Sequence, residues 1–212
     1  MIATEELIKK VRCLINETED DAGVSLITDE LRSIDDTIKK LLPQAVAIVQ
    51  KQRNGRYVNA KALLPENAVI QMTADGFGTV VLPSDFAELV SIGLDSWKTP
   101  CVEISSSDSA EALYKFERSY RPASSEPVCV ENITGEGNKV LKFSPCGEQD
   151  SLSHFVYEAQ FDIAEGLNMC DSRMADAVSY VCVALLYNVF ERYDAAKSFM
   201  SFAAALCGGN GM

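Results

Sequence analysis

Leu82-Pro83-Ser84-Asp85-Phe86, followed at a short distance by Asp95-Ser96-Trp97-Lys98-Thr99-Pro100, is the stretch on which the organisation of the chain turns. It divides a region of alternating apolar residues, and on either side of that region lie long segments with helical spacing. Pro83 stops the strand that leads into it, because proline has no N–H for a sheet ladder. Ser84 or Asp85 then offers an oxygen to cap a short helical turn carrying Phe86, Leu89 and Val90. Trp97 is the single tryptophan and reads as core or half-buried packing.

Just upstream, Val69–Thr73 and Phe77–Leu82 flank Ala74-Asp75-Gly76, a hairpin signal, since Asp-Gly tolerates positive φ. Downstream, Trp97–Ile104 reads as extended, Ser105-Ser106-Ser107-Asp108 as a polar loop, and residues 110–120 as helical. Pro127–Asn132 and Lys139–Ser144 flank Thr134-Gly135-Glu136-Gly137-Asn138, a second hairpin that Pro145 ends. Ser153–Gln160 alternates as a further strand, with Phe155 and Tyr157 on one face.

The two ends of the chain are helical. Thr4 opens the first helix, whose stripe is Leu7, Ile8, Val11, Leu14 and Ile15, and Glu17–Gly23 breaks it. A second begins at Thr28 or Asp29, carries Ile34, Ile38, Leu41 and Leu42, and meets Pro43, which ends it, kinks it or starts a new turn. Helical spacing then continues to about Arg53. Asp171 caps a long helix through Val178, Val181, Cys182, Leu185 and Val189. A bend at Tyr193-Asp194 precedes Phe199, Phe202, Ala203 and Leu206, and Gly208-Gly209 is the helix stop. The expected class is α+β: a helical bundle from residues 1–66 and 163–212, with residues 67–162 inserted as a β-rich region of antiparallel hairpins.

Composition narrows the function. Acidic residues exceed basic ones by 31 − 19 = 12, so nucleic-acid phosphates should be repelled. Seven scattered cysteines without a C-x-x-C pair, and the lone His154, form no zinc pattern, so no metal or cofactor is expected. They read as free thiols of a reducing cytoplasm. The start, Met1-Ile2-Ala3-Thr4-Glu5-Glu6, is not a signal peptide, and the apolar run 175–190 contains Asp176, so no membrane span is expected. His154 and the Ser105–Asp108 loop supply the residue types of a hydrolase triad, but a serine-rich loop lacks the rigid turn and oriented base. Asp20-Asp21 and Asp35-Asp36 are adjacent and solvated, poor general acid/base pairs. No enzymatic activity is expected.

In order along the chain come Ile8-Lys9-Lys10-Val11-Arg12 and residues 34–42 in the helical pair, then Leu82-Pro83-x-Asp85-Phe86. Ser96-Trp97, the strand with Pro100, Phe143-Ser144-Pro145, Leu186-Tyr187 and Tyr193-Asp194-Ala195-Ala196-Lys197-Ser198-Phe199 follow. The ordered set resembles the head-to-tail adaptor (connector) proteins of tailed bacteriophages, those of crAss-like phages included. Where that family usually has Gly-x-Pro before the second hairpin, this chain has Ser125-Glu126-Pro127.

The resemblance implies a virion structural protein at the head–tail junction, made in the host bacterial cytoplasm. It implies a ring, commonly dodecameric, that docks under the portal protein, extends the DNA channel without binding DNA specifically, and offers tail proteins a platform. By that analogy Gly208, Gly209 and Met212 are a candidate portal-contacting tail; Phe199, Phe202 and Leu206, placed near the end of the last helix, read equally as core and as candidate interface residues. Asp35-Asp36 beside Lys39-Lys40 is a candidate for pairing between neighbours. The alternatives are another tail-ring or tail-completion protein, and a cellular α+β binding module for an unidentified ligand.

Overall fold

The computed structural model describes residues 1–19, 28–64, 68–105, 116, 122–135, 137–168 and 170–208. Among these are four helices and two sheets, so the chain is mixed α+β. It divides into two compact units, one of Met1–Ala60 with Gln160–Met212 and one of Lys61–Ala159.

The first unit holds α1 (Thr4–Glu19), α2 (Thr28–Gln52), α3 (Ser172–Val189) and α4 (Tyr193–Leu206). The α3 helix is buried round most of its circumference, from Met174 and Ala175 to Leu186 and Tyr187, because the other three helices all pack on it. Leu7, Val11 and Ile15 of α1, Ile38, Leu42 and Val49 of α2, and Phe199 and Ala203 of α4 complete this core. The carboxylate of Asp171 accepts from the N–H of Arg173 and caps α3 as the sequence predicts. Pro43 lies inside α2, which runs on past it to Gln52. Glu191, at φ 60, turns the chain from α3 into α4, and the N–H of Arg192 donates to the carbonyl of Tyr187 at 2.8 Å.

Residues near both ends of the described chain are fastened inside this unit. Ile2 and Leu167 exchange two backbone hydrogen bonds of 2.8 and 2.9 Å, and the Thr4 hydroxyl donates to the carbonyl of Ile163. Gly166 is required there, since its φ is +76° and a Cβ would stand 2.3 Å from the Ile2 oxygen. At the other end, Arg56 donates to the Leu206 carbonyl (2.8 Å) and Asn54 to that of Gly208 (3.0 Å). Arg56 thus meets a carbonyl that the last turn of α4 leaves without a helical partner, and Asn54 one just past the helix end.

The second unit carries the sheets. One has the order β1-β8-β4, from Ala60–Ala62, Leu152–Ala159 and Phe86–Leu94. The other has the order β2-β3-β7-β6-β5, from Gln71–Met72, Gly78–Val81, Lys139–Ser144, Val128–Ile133 and Ile104–Ser105. Its pairs are antiparallel except β5 with β6. Both expected hairpins are present, β2–β3 around Gly76 (φ 80) and β6–β7 around residues 134–138. The unit begins at Lys61, ahead of the predicted 67–162, because the short strand β1 already lies beside β8. The helix expected over 110–120 lies outside the described residues apart from Phe116.

Several expectations are overturned: α1 runs on to Glu19, the reversal lies at Glu191 while Tyr193-Asp194 open α4, and Pro100 lies outside any strand, with Cys101 in an isolated bridge to Ile92. Residues 86–90 form no helical turn; they open β4, the longest strand among the described residues, paired antiparallel with β8. The register shifts between Phe86 and Glu88 and again between Leu89 and Ser91. Each shift inserts a residue, so the inward positions Phe86, Leu89 and Ile92 fall three apart instead of two. A bulged strand thereby copies the spacing of a helix face.

Candidate interaction surface of the helical unit

Tyr180, near the middle of α3, joins two features. Its ring lies 6.0 Å from that of Phe199 and 5.9 Å from that of Phe202, both carried by α4, and Phe199 stacks on Tyr187 at 5.7 Å. The helix reversal at Glu191 lays α4 along α3 and makes these encounters possible. Tyr180 also lines a groove of about 340 Å³ with Asp176 and Ser179 of α3 and Glu6, Lys9, Lys10, Cys13 and Leu14 of α1. Across the groove Lys10 and Asp176 form an ion pair of 2.8 Å with both side chains partly in water. The pair holds α1 against α3; at that exposure its attraction is strongly screened.

The three aromatic and aliphatic candidates of α4 separate. Phe199 is 7% exposed and belongs to the core, Phe202 is 56% exposed beside it, and Leu206 is half-buried against the core. Val189, Phe190 and Tyr193 at the α3–α4 reversal are exposed as well. Gly208 (φ +81) is held by Asn54 as part of the helix stop, whereas Gly209 and Met212 lie outside the described residues. Asp35 meets Arg12 of α1 at 2.6 Å, so its carboxylate is engaged within the unit. Sequence reasoning missed Tyr180; the signal was its place one step off the Val178–Val181 stripe, which turns it toward α1.

In the second unit, the residues singled out beforehand have structural partners. The Trp97 indole N–H donates to the Pro145 carbonyl at 2.7 Å, and its ring meets Phe143 edge-on. Asp85 caps no helix: its carboxylate accepts from Lys61 on β1 (2.7 Å) and from the Tyr157 hydroxyl on β8 (3.0 Å). Burial alone would raise its pKa, but these two partners bring it below the ordinary aspartate value. His154 meets Ser91 at 2.7 Å through Nε2 and Ser153 at 3.2 Å through Nδ1. Both ring nitrogens therefore face hydroxyls, whereas the base of a hydrolytic triad leans on a carboxylate. Among the described residues no group of three or more His, Cys, Asp or Glu is placed to hold a metal ion. Nor is any helix among them long and apolar enough to cross a membrane. No family model matches the chain, and no curated protein matches it either.

Proposed function

We propose that this protein is a virion structural protein, a head-to-tail adaptor whose copies form a ring under the portal, extend the DNA channel and give tail proteins a platform. In this reading a helical bundle of both chain ends is the body of the adaptor, and the β-rich insertion decorates it. The observation that carries the reading is the aromatic surface of Tyr180 and Phe202 next to the α1–α3 groove. An exposed aromatic, Phe202, on a half-buried one, Tyr180, beside a groove with a charged rim is the composition of a contact surface: apolar burial supplies affinity and the rim sets register. The excess of acid, 12 charges, favours a channel through which phosphates pass without settling.

The same groove supports a second reading. Its volume lies in the range of small-ligand sites, about 300–1,000 Å³, and Lys9 and Lys10 would favour an acidic ligand. The partly exposed ion pair across it favours a neighbouring protein surface over an enclosed ligand.

Electron microscopy of the protein mixed with the portal encoded beside it is the test. A stacked ring of matching symmetry is expected, and Phe202→Asp should abolish it while the free protein keeps its helical signal. Truncation after Gly208 leaves the contact with Asn54 in place and should weaken portal docking alone. If no complex forms with any portal partner, and small anions protect Lys9 and Lys10 from acylation, the ligand reading replaces the ring.

A further inference from the structure

Just past the end of α2, Asn54 and Gly55 form an exposed bend. Gly55 takes φ +66°, and apart from its chain neighbours no heavy atom lies within 4 Å of where a Cβ would stand. Its backbone is therefore open to water and to the side chain that precedes it. The Asn54 amide is held at one point: Nδ2 donates to the carbonyl of Gly208, 154 residues on, at 3.0 Å. Gly208, at φ +81°, lies so close to that amide that a Cβ there would stand 3.2 Å from Nδ2. We propose that Asn54-Gly55 is a self-modification site, where a spontaneous deamidation, slowed by the Gly208 contact, frees Gly208 from the loop after α2.

The reaction needs only water. The backbone nitrogen of Gly55 bonds to Cγ of Asn54, and the Cγ–Nδ2 bond breaks. Nδ2 leaves as ammonia, taking the proton that the Gly55 nitrogen gives up, and a cyclic imide remains. Water opens the ring at either carbonyl to give aspartate or isoaspartate, and the ammonia carries off the carboxyl proton as ammonium. Nothing is oxidised or reduced. Glycine in second place favours closure, because no Cβ shields the attacking nitrogen. The Gly208 contact opposes it, because swinging Cγ onto that nitrogen gives up the hydrogen bond. The product cannot restore the bond: a carboxylate only accepts, and so does the Gly208 carbonyl it faces. The change is one-way. Arg56 still holds the Leu206 carbonyl, so the end of α4 stays seated while Gly208 is let go. This inference is independent of ring assembly.

The test uses the full chain, kept in warm, mildly alkaline buffer, sampled, digested with chymotrypsin and read by peptide mass and retention. The expected product is the Asn54 peptide with its amide nitrogen exchanged for oxygen, split between aspartate and isoaspartate forms. The other Asn-Gly pair, Asn210-Gly211, falls in a separate peptide and lies outside the described residues. Gly208→Val crowds the amide and, where it keeps the parent's helical signal, should convert roughly 2–12 times faster, one hydrogen bond's contribution expressed as a rate ratio. Fresh Asn54→Asp should lose Gly208 to carboxypeptidase sooner than the fresh parent, and this arm decides if Gly208→Val does not fold. Three results would overturn the proposal: Asn54 intact in the folded chain while the urea-unfolded chain converts, equal rates in the parent and folded Gly208→Val, or Gly208 trimmed alike from the parent and Asn54→Asp.

Discussion

Gly78 faces Phe143 across the β3–β7 ladder, and Gly93 faces His154 across β4–β8. In each case the ring lies where a side chain would start: a Cβ would stand 2.3 Å from the Phe143 ring and 2.5 Å from the imidazole. The glycine thus lets the aromatic group fold down on its own ladder partner. Phe143 is fully buried and has nowhere to move, so Gly78→Ala should cost about 1–3 kcal/mol in urea unfolding. Gly93→Ala should cost less, because His154 is only half-buried, but should break its contact with Ser91, seen as a changed imidazole resonance. Asp85 carries a pH signature. Its folded pKa lies below the free value of 3.8, so its contribution is present above that value and is lost as pH falls through the folded one. Asp85→Asn should therefore cost about 1–2 kcal/mol at neutral pH, and the difference from the parent should shrink under acid. The Asp171 cap and the Gly76 turn were legible because their partners are local. The role of Asp85 was not, because its partners lie 24 and 72 residues away.

Elements were legible where local spacing and final environment agree. The helix α3 repeats apolar residues without interruption and is surrounded on nearly all sides, and the β2–β3 and β6–β7 turns carry their own glycines. The strand β4 was not legible, because its bulges shift the inward residues to every third position, and only β8 reveals them. In α4 the sequence named Phe199 and Phe202 together; both meet Tyr180, and stacking on Tyr187 draws Phe199 into the core. Phe199→Ala should destabilise the free protein by about 3–5 kcal/mol, while Phe202→Ala should leave its melting temperature nearly unchanged. Equal losses from the two in thermal unfolding would contradict an exposed Phe202.

At the scale of the molecule, the α+β class could be read from the change of apolar period along the chain, whereas the unit boundary could not, because β1 is only three residues long. The chain leaves the helical unit after Ala60 and returns at Gln160, and the Asn59 side chain donates to the Gln160 carbonyl at 3.2 Å. Replacing Lys61–Ala159 by a short Gly-Ser linker should then leave a cooperatively melting helical protein. A non-cooperative melt followed by circular dichroism would show that the first unit needs the second.

The central place of α3 also sets a timetable for synthesis. Its partners α1 and α2 emerge from the ribosome first, and the whole stretch Lys61–Ala159 must follow before α3 appears. At roughly 5–20 residues per second that delay lasts on the order of 5–20 s. Throughout it Leu7, Val11, Ile38 and Val49 have no α3 to cover them, while the sheets can close as soon as β8 is made. The middle of the polypeptide is thus ready before its beginning. Between the completion of β8 and the emergence of α3 the nascent protein is a finished β unit behind two sticky helices, the form in which a chaperone would meet it.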